Sequence, residues 1–211
     1  MNRINLKKDA KIKMYKNYGF LIIFFIVSIL LSSQITLLKK IWNPSLIKSI
    51  VIFTALSCLE LSIANVYFKV SKYGKASIKD IIEPFKENLI DKILTIFLRN
   101  FYLVLWTILF IVPGIVKLFS YSQVVLILVD DEQKIFGNEA ITKSRKIMDG
   151  KKFDLLVLII SFTLWFIASG LTGGILLIYV YPYFMITLSN FYLTLVGGNI
   201  EERVENAKQI N

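Results

Sequence analysis

The sequence predicts an all-α polytopic membrane protein. It has six transmembrane helices, both termini inside, and two interfacial amphipathic helices on the cytoplasmic side. Three observations predict this class. Hydrophobic residues fill 55% of the 211 positions, with a mean hydropathy of +0.63, against about 45–50% apolar in soluble domains. They gather into runs of the length a bilayer demands. The net charge of +10 sits in short blocks between those runs, which is the pattern of membrane orientation rather than of nucleic-acid binding.

The elements follow in order. Six basic residues lie within residues 1–17, ahead of an apolar run over 18–38. That run exceeds a signal-peptide core of about 7–15 residues and no small-x-small site follows, so it reads as an uncleaved first span with a basic tail. The second span covers 46–68. Along it Ala55, Cys58, Ser62 and Asn65 recur at helical spacing, the small-residue face that lets helices approach closely. Ile78, Ile81, Phe85, Leu89 and Ile93 then mark an interfacial helix over 78–93, with Pro84 in its first turn or splitting it.

Residues 94–129 form an apolar block of 36 residues. One helix of that length would reach roughly 54 Å, against a hydrocarbon core of about 30 Å. Two spans fit, 94–112 and 114–129, with Pro113 and Gly114 as the central pair of a type II hairpin turn. After Asp130-Asp131-Glu132, read as a solvated acidic helix end, a second interfacial helix is expected over 139–149. Asn138 caps it, Glu139 lies in its first turn, Ser144 and Arg145 lie along it, and Gly150 ends it. Spans five and six cover 153–169 and 175–196, and 197–211 is a polar tail. Leu105-Trp106 before Pro113-Gly114 echoes Leu164-Trp165 before Thr172-Gly173, as a parallel repeat or by chance.

Orientation follows from the cations. Twenty of the 25 basic residues fall in the N-tail, the two interfacial blocks and the C-tail, and only Lys39 and Lys40 face the other side. Positive residues favour the cytoplasm, so both termini belong there.

Absent residue types exclude chemistry. One cysteine allows no intrachain disulfide, and the lack of histidine removes Ser-His triads and His-ligated metals. No phosphate-cradling glycine loop occurs, and no aspartate pair lies in the spans. No catalytic residue, cofactor or metal is expected.

Polar groups inside spans are costly and therefore informative. Glu60 and Arg99 lie at matched depth with opposite charge. Either they pair, or Arg99 snorkels to the inner headgroups while Glu60 is protonated or faces water. Lys117, one turn from Pro113-Gly114, reaches the outer headgroups. Ser120, Tyr121, Ser122 and Gln123 lie near mid-bilayer. With Tyr179, Tyr181, Tyr183 and Asn190 they line a polar crevice between spans four and six, or else only hold the helices together.

Phe110-Ile-Val-Pro-Gly-Ile-Val-Lys-Leu-Phe-Ser-Tyr-Ser122 resembles the signature of the bacterial integral-membrane family known as domain of unknown function 975. Asn138-Glu-Ala-Ile-Thr-Lys-Ser-Arg-Lys-Ile-Met-Asp-Gly150 is similar to its charged helix, and Tyr181-Pro-Tyr and Asn190-Phe-Tyr192 to its closing span. The resemblance covers roughly residues 69–196, with a departure at 81–90. It implies a multi-pass cytoplasmic-membrane protein and assigns no catalytic residue.

The function expected is a non-enzymatic accessory, regulatory or protective (immunity-like) component of a bacterial cytoplasmic membrane. Its partners are the lipid bilayer, other membrane proteins or a membrane-active peptide, and not nucleic acid. The alternatives are a small transporter or channel using the polar crevice, and more remotely a lipid-modifying enzyme. A bias of 33 Ile against 7 Ala suits an AT-rich bacterial genome.

Overall fold

The computed structural model describes residues 3–41, 46–130 and 132–197, except for the side chains of 34–41, 46 and 47. The described residues form helices and turns without strands. The stretch 198–211 of the expected tail lies outside them.

The basic N-terminal block is not a tail. It forms helix α1 (Arg3–Lys16), which meets α2 (Tyr18–Ile41) at 90°. Leu6, Ala10 and Met14 recur every fourth residue and are fully buried, while five lysines are spread among the remaining positions. The six cations hid this stripe in the sequence. At the corner, the Asn17 side-chain amide donates to the carbonyls of Lys13 (2.9 Å) and Gly74 (2.8 Å).

Helix α3 (Leu46–Tyr73) continues beyond the expected limit at 68, until Gly74 turns the chain with φ +75. Two residues of its small-residue face, Ser62 and Asn65, bond to the segment that follows. Ser62 Oγ donates to the Ile81 carbonyl (2.9 Å), and Asn65 Nδ2 to that of Asp80 (2.7 Å). The expected helix over 78–93 is broken. It consists of α4 (Ile78–Ile82), a 3₁₀ turn at Glu83–Phe85 and a left-handed Asn88 (φ 51), after which α5 (Leu89–Leu109) starts. Pro84 lacks the N–H that a continuous helix needs and sits at the start of the tight turn. Residues 89–93 therefore belong to the third span.

The hairpin turn falls at Phe110, whose extended backbone (φ −156, ψ 127) separates α5 from α6 (Ile111–Ser120). Pro113 and Gly114 lie inside α6, which corrects the turn assignment. Proline in a first helical turn loses no hydrogen bond, because its N–H would be unpaired there anyway. Gly114 serves close approach. A Cβ placed on it would lie 2.9 Å from Thr107 Cα, so α6 folds straight back on α5. Along one continuous helix these two residues would stand about 10 Å apart. Gly114→Val should therefore cost about 1–3 kcal/mol by overpacking, read as a lower melting temperature in detergent micelles, with Gly114→Ala milder.

A break at 121–123 separates α6 from α7 (Val124–Val129). Ser120 Oγ donates to the Val116 carbonyl (2.9 Å) and Ser122 Oγ to that of Phe119 (2.8 Å), competition that bends helices. Helix α8 (Gly137–Ile147) replaces the expected 139–149. Its cap is the extended Phe136, not Asn138, which lies inside the helix, whereas Gly150 (φ +67) does turn the chain into α9 (Lys152–Leu171). Gly173 and Gly174, both left-handed, lead to α10 (Leu177–Leu195), which contains Pro182. The hairpins thus turn differently, one at a single extended residue and one through a glycine pair, so the echo does not extend to the turns.

Four segments are long and apolar enough to cross a membrane: Lys48–Tyr73, Leu89–Leu109, Ile111–Val129 and Lys152–Leu171. The bent α1–α2 pair makes a fifth if counted as one span. Helix α10 is not among them, since it carries Tyr179, Tyr181, Tyr183 and Asn190. The surface is far more apolar than that of a soluble protein, over a core that is mainly apolar as well. Ile108, Leu164 and Leu171 are 78–85% exposed, while Asp9, Thr95, Gln123 and Asn190 are fully buried. So much exposed apolar surface calls for a lipid solvent.

Candidate functional site: a charged cavity within the bundle

Glu60 lies at the middle of α3 and Arg99 at the middle of α5. Arg99 Nη1 donates to Glu60 Oε1 at 3.0 Å and Nη2 to Oε2 at 3.2 Å, a two-pronged pair matching guanidinium to carboxylate. Arg99 Nε and Nη2 also donate to Asn100 Oδ1, at 3.2 and 2.9 Å. The arginine side chain is 13% exposed and that of Glu60 is 41% exposed.

The pair lines a cavity of about 370 Å³ between α3, α5, α7 and α10. Ser122, Tyr181, Met185 and Ser189 line it as well, among aliphatic side chains. The site thus holds one mutually compensated charge pair, three hydroxyls and apolar surroundings. Among the described residues no three histidine, cysteine or acidic side chains gather to hold a metal.

In hydrocarbon the pair should couple strongly. Glu60→Gln and Arg99→Gln should each destabilise the protein, and the double variant should lose less than the sum by about 1–3 kcal/mol. Thermal unfolding of the four proteins in micelles measures this, and simple additivity would rule the coupling out.

The other expected site residues are dispersed. Ser120, Tyr121 and Gln123 are buried in helix packing and do not line the cavity. Of the expected crevice between spans four and six, Ser122 and Tyr181 line it. Asn190 is fully buried elsewhere, accepting from Ser71 Oγ (2.5 Å) and donating to the Leu6 carbonyl (3.1 Å). Ser144 Oγ donates to the Ser120 carbonyl at 2.8 Å, holding α8 against the end of α6. Asn138 and Glu139 line a shallow hollow on α8 with Thr142 and Lys143.

Lys117 stands in the last turn of α6. Its ammonium sits 4.7 Å from the centre of the Trp106 ring, in a pocket shared with Arg145, Lys146 and Lys152 from the charged block. The fold-back at Phe110 and the docking of α8 bring these groups together, which linear spacing could not show.

Two buried networks escaped sequence reading. Lys13 Nζ donates to Asp9 Oδ2 and to the Ser71 carbonyl, both at 2.7 Å. Asp130, read as solvated, is 3% exposed, accepting from Lys72 Nζ (3.1 Å) and Tyr192 OH (2.9 Å). The Asp9–Lys13 spacing of four and an asparagine inside a span were the available signals. Together these bonds bring α1, the end of α3, Asp130 and the last turns of α10 to one end of the bundle.

With a broadly apolar exposed surface and several helices long and apolar enough to cross a bilayer, the chain has the build of an α-helical membrane protein. Residues 108–199 match the family model described as protein of unknown function (DUF975), the family that the Phe110–Ser122 motif resembles. The match begins after most of α5, so α1 to α4 lie outside it. No curated protein and no solved structure matches the chain.

Proposed function

We propose that this chain is a non-enzymatic accessory component of a bacterial cytoplasmic membrane, regulatory or protective (immunity-like) in role. In this reading it engages a membrane protein or membrane-active peptide at the flank bearing Glu60 and Arg99. The observation that carries it is the 41% exposure of the Glu60 side chain at the middle of α3. An ionised carboxylate at mid-span is costly, and one arginine leaves it partly uncovered where the cavity opens. A polar or basic group on a partner helix completes its coordination, while Leu56, Leu59 and Ile63 offer apolar surface for the rest of that helix.

A photo-crosslinker at position 59, in native membranes, should yield a discrete adduct with a second membrane polypeptide, lost in Glu60→Gln. The second reading is a small transporter or channel, favoured by the hydroxyls of Ser122, Tyr181 and Ser189 in the same cavity. Solute flux in liposomes that Glu60→Gln abolishes would overturn the accessory role in favour of that one.

The proposal includes six spans, α10 being the last, with both termini in the cytoplasm. The gathering of charged blocks at one end of the bundle and the charge asymmetry support it. Reporter fusions after residue 43 should report outside, and after residues 75, 140 and 205 inside; an external signal at 140 overturns it.

A further inference from the structure

A second pocket, of about 360 Å³, lies between α6, α8 and the start of α9. Lys117, Arg145, Lys146 and Lys152 line it, against the single carboxylate of Asp149. Among the described residues, no carboxylate lies within ion-pair distance of any of these four cations. Four positive groups with only the Asp149 carboxylate among them repel one another, and an anion relieves that repulsion. The arrangement is held in place. Ser144 ties α8 to the Ser120 carbonyl, Gly150 turns Lys152 back toward Arg145, and the Trp106 ring supports the Lys117 ammonium. One flank is strongly apolar, with Ile115, Val116, Leu118 and Phe153 exposed.

We propose that this pocket holds the phosphate of an anionic glycerophospholipid headgroup. The guanidinium and ammonium groups receive the phosphate oxygens, and Thr142 adds a hydroxyl donor beside them. The acyl chains run along the exposed apolar surface of α6 and α9, a fit that free phosphate would not use. This site is separate from the Glu60–Arg99 cavity and does not depend on the role proposed there.

Native mass spectrometry of the full chain in zwitterionic micelles tests it. The protein is titrated with phosphatidylglycerol or phosphatidylcholine, each with and without inorganic phosphate. Phosphatidylglycerol should be retained in preference to phosphatidylcholine, and inorganic phosphate should not displace it. Arg145→Gln and Lys152→Gln should each weaken retention about fivefold, the factor set by about 1 kcal/mol per basic residue. Lys79→Gln, an exposed cation of α4 outside the pocket, should change nothing. Arg145 is exposed, so its loss leaves the packing intact. Equal retention of both lipids, or an equal loss in Lys79→Gln, overturns the proposal. Full displacement by inorganic phosphate also overturns it, assigning the pocket to the free anion.

Discussion

Lys13→Met should lower stability by about 3–5 kcal/mol, the cost of leaving one member of a buried ion pair without the other. The Asp9 side chain is fully inaccessible and its Oδ2 receives Lys13 at 2.7 Å, while its Oδ1 has no hydrogen-bond partner. Removing the ammonium strands that carboxylate between α1 and its neighbours. The double variant Asp9→Leu, Lys13→Met should recover most of the loss, because an apolar pair of similar volume has no desolvation to offset. Unfolding in micelles, followed by circular dichroism, reads both. If the double variant is as unstable as the single, the pair is not what holds α1. Methionine also removes the bond to the Ser71 carbonyl, one of the ties between α1 and α3.

Asp130→Ala should be nearly as damaging, at about 3–5 kcal/mol. Asp130 joins the last turn of α7 to Lys72 at the end of α3 and to Tyr192 near the end of α10. Alanine leaves the Tyr192 hydroxyl without its acceptor and takes from Lys72 its buried partner. The remaining partner, Glu132, is largely exposed and screens poorly for the lost group. Asp130→Asn keeps an acceptor for Tyr192 but also takes the charge from Lys72, so it should lose about 1 kcal/mol less than alanine. Equal melting temperatures for the Ala and Asn variants would show that the tyrosine bond carries no stability.

Both predictions concern contacts that the linear chain conceals. Asp130 sits in an acidic run, and such runs are ordinarily solvated. Only the docking of α3 and α10 beside α7 buries it. The docking of α1 is a similar case: its four-residue apolar stripe is short and diluted by lysines, so charge dominates any reading of the block. The turn falls at Phe110 and not at Pro113-Gly114 because that pair fits a first helical turn as well as a type II turn, and Gly114 is needed where α6 touches Thr107. The break at 121–123 comes with local bonds from Ser120 and Ser122 back to the carbonyls of the preceding turn, and the one at Asn88 with a left-handed backbone that an unbroken amphipathic pattern does not signal.

By itself the sequence determined the class. Apolar runs of bilayer length, an all-helical build, the charged blocks between them, and the opposite charges of Glu60 and Arg99 at similar depth all follow from composition and spacing. Hydrophobicity and helix length are local quantities, so they can be read from the chain one segment at a time. Tertiary structure decided the rest: that Arg99 meets Glu60 in a cavity, that Lys117 joins Arg145 and Lys152, and that Asp9 and Asp130 are buried. Each of those depends on distances between helices remote in sequence, set by how their surfaces pack.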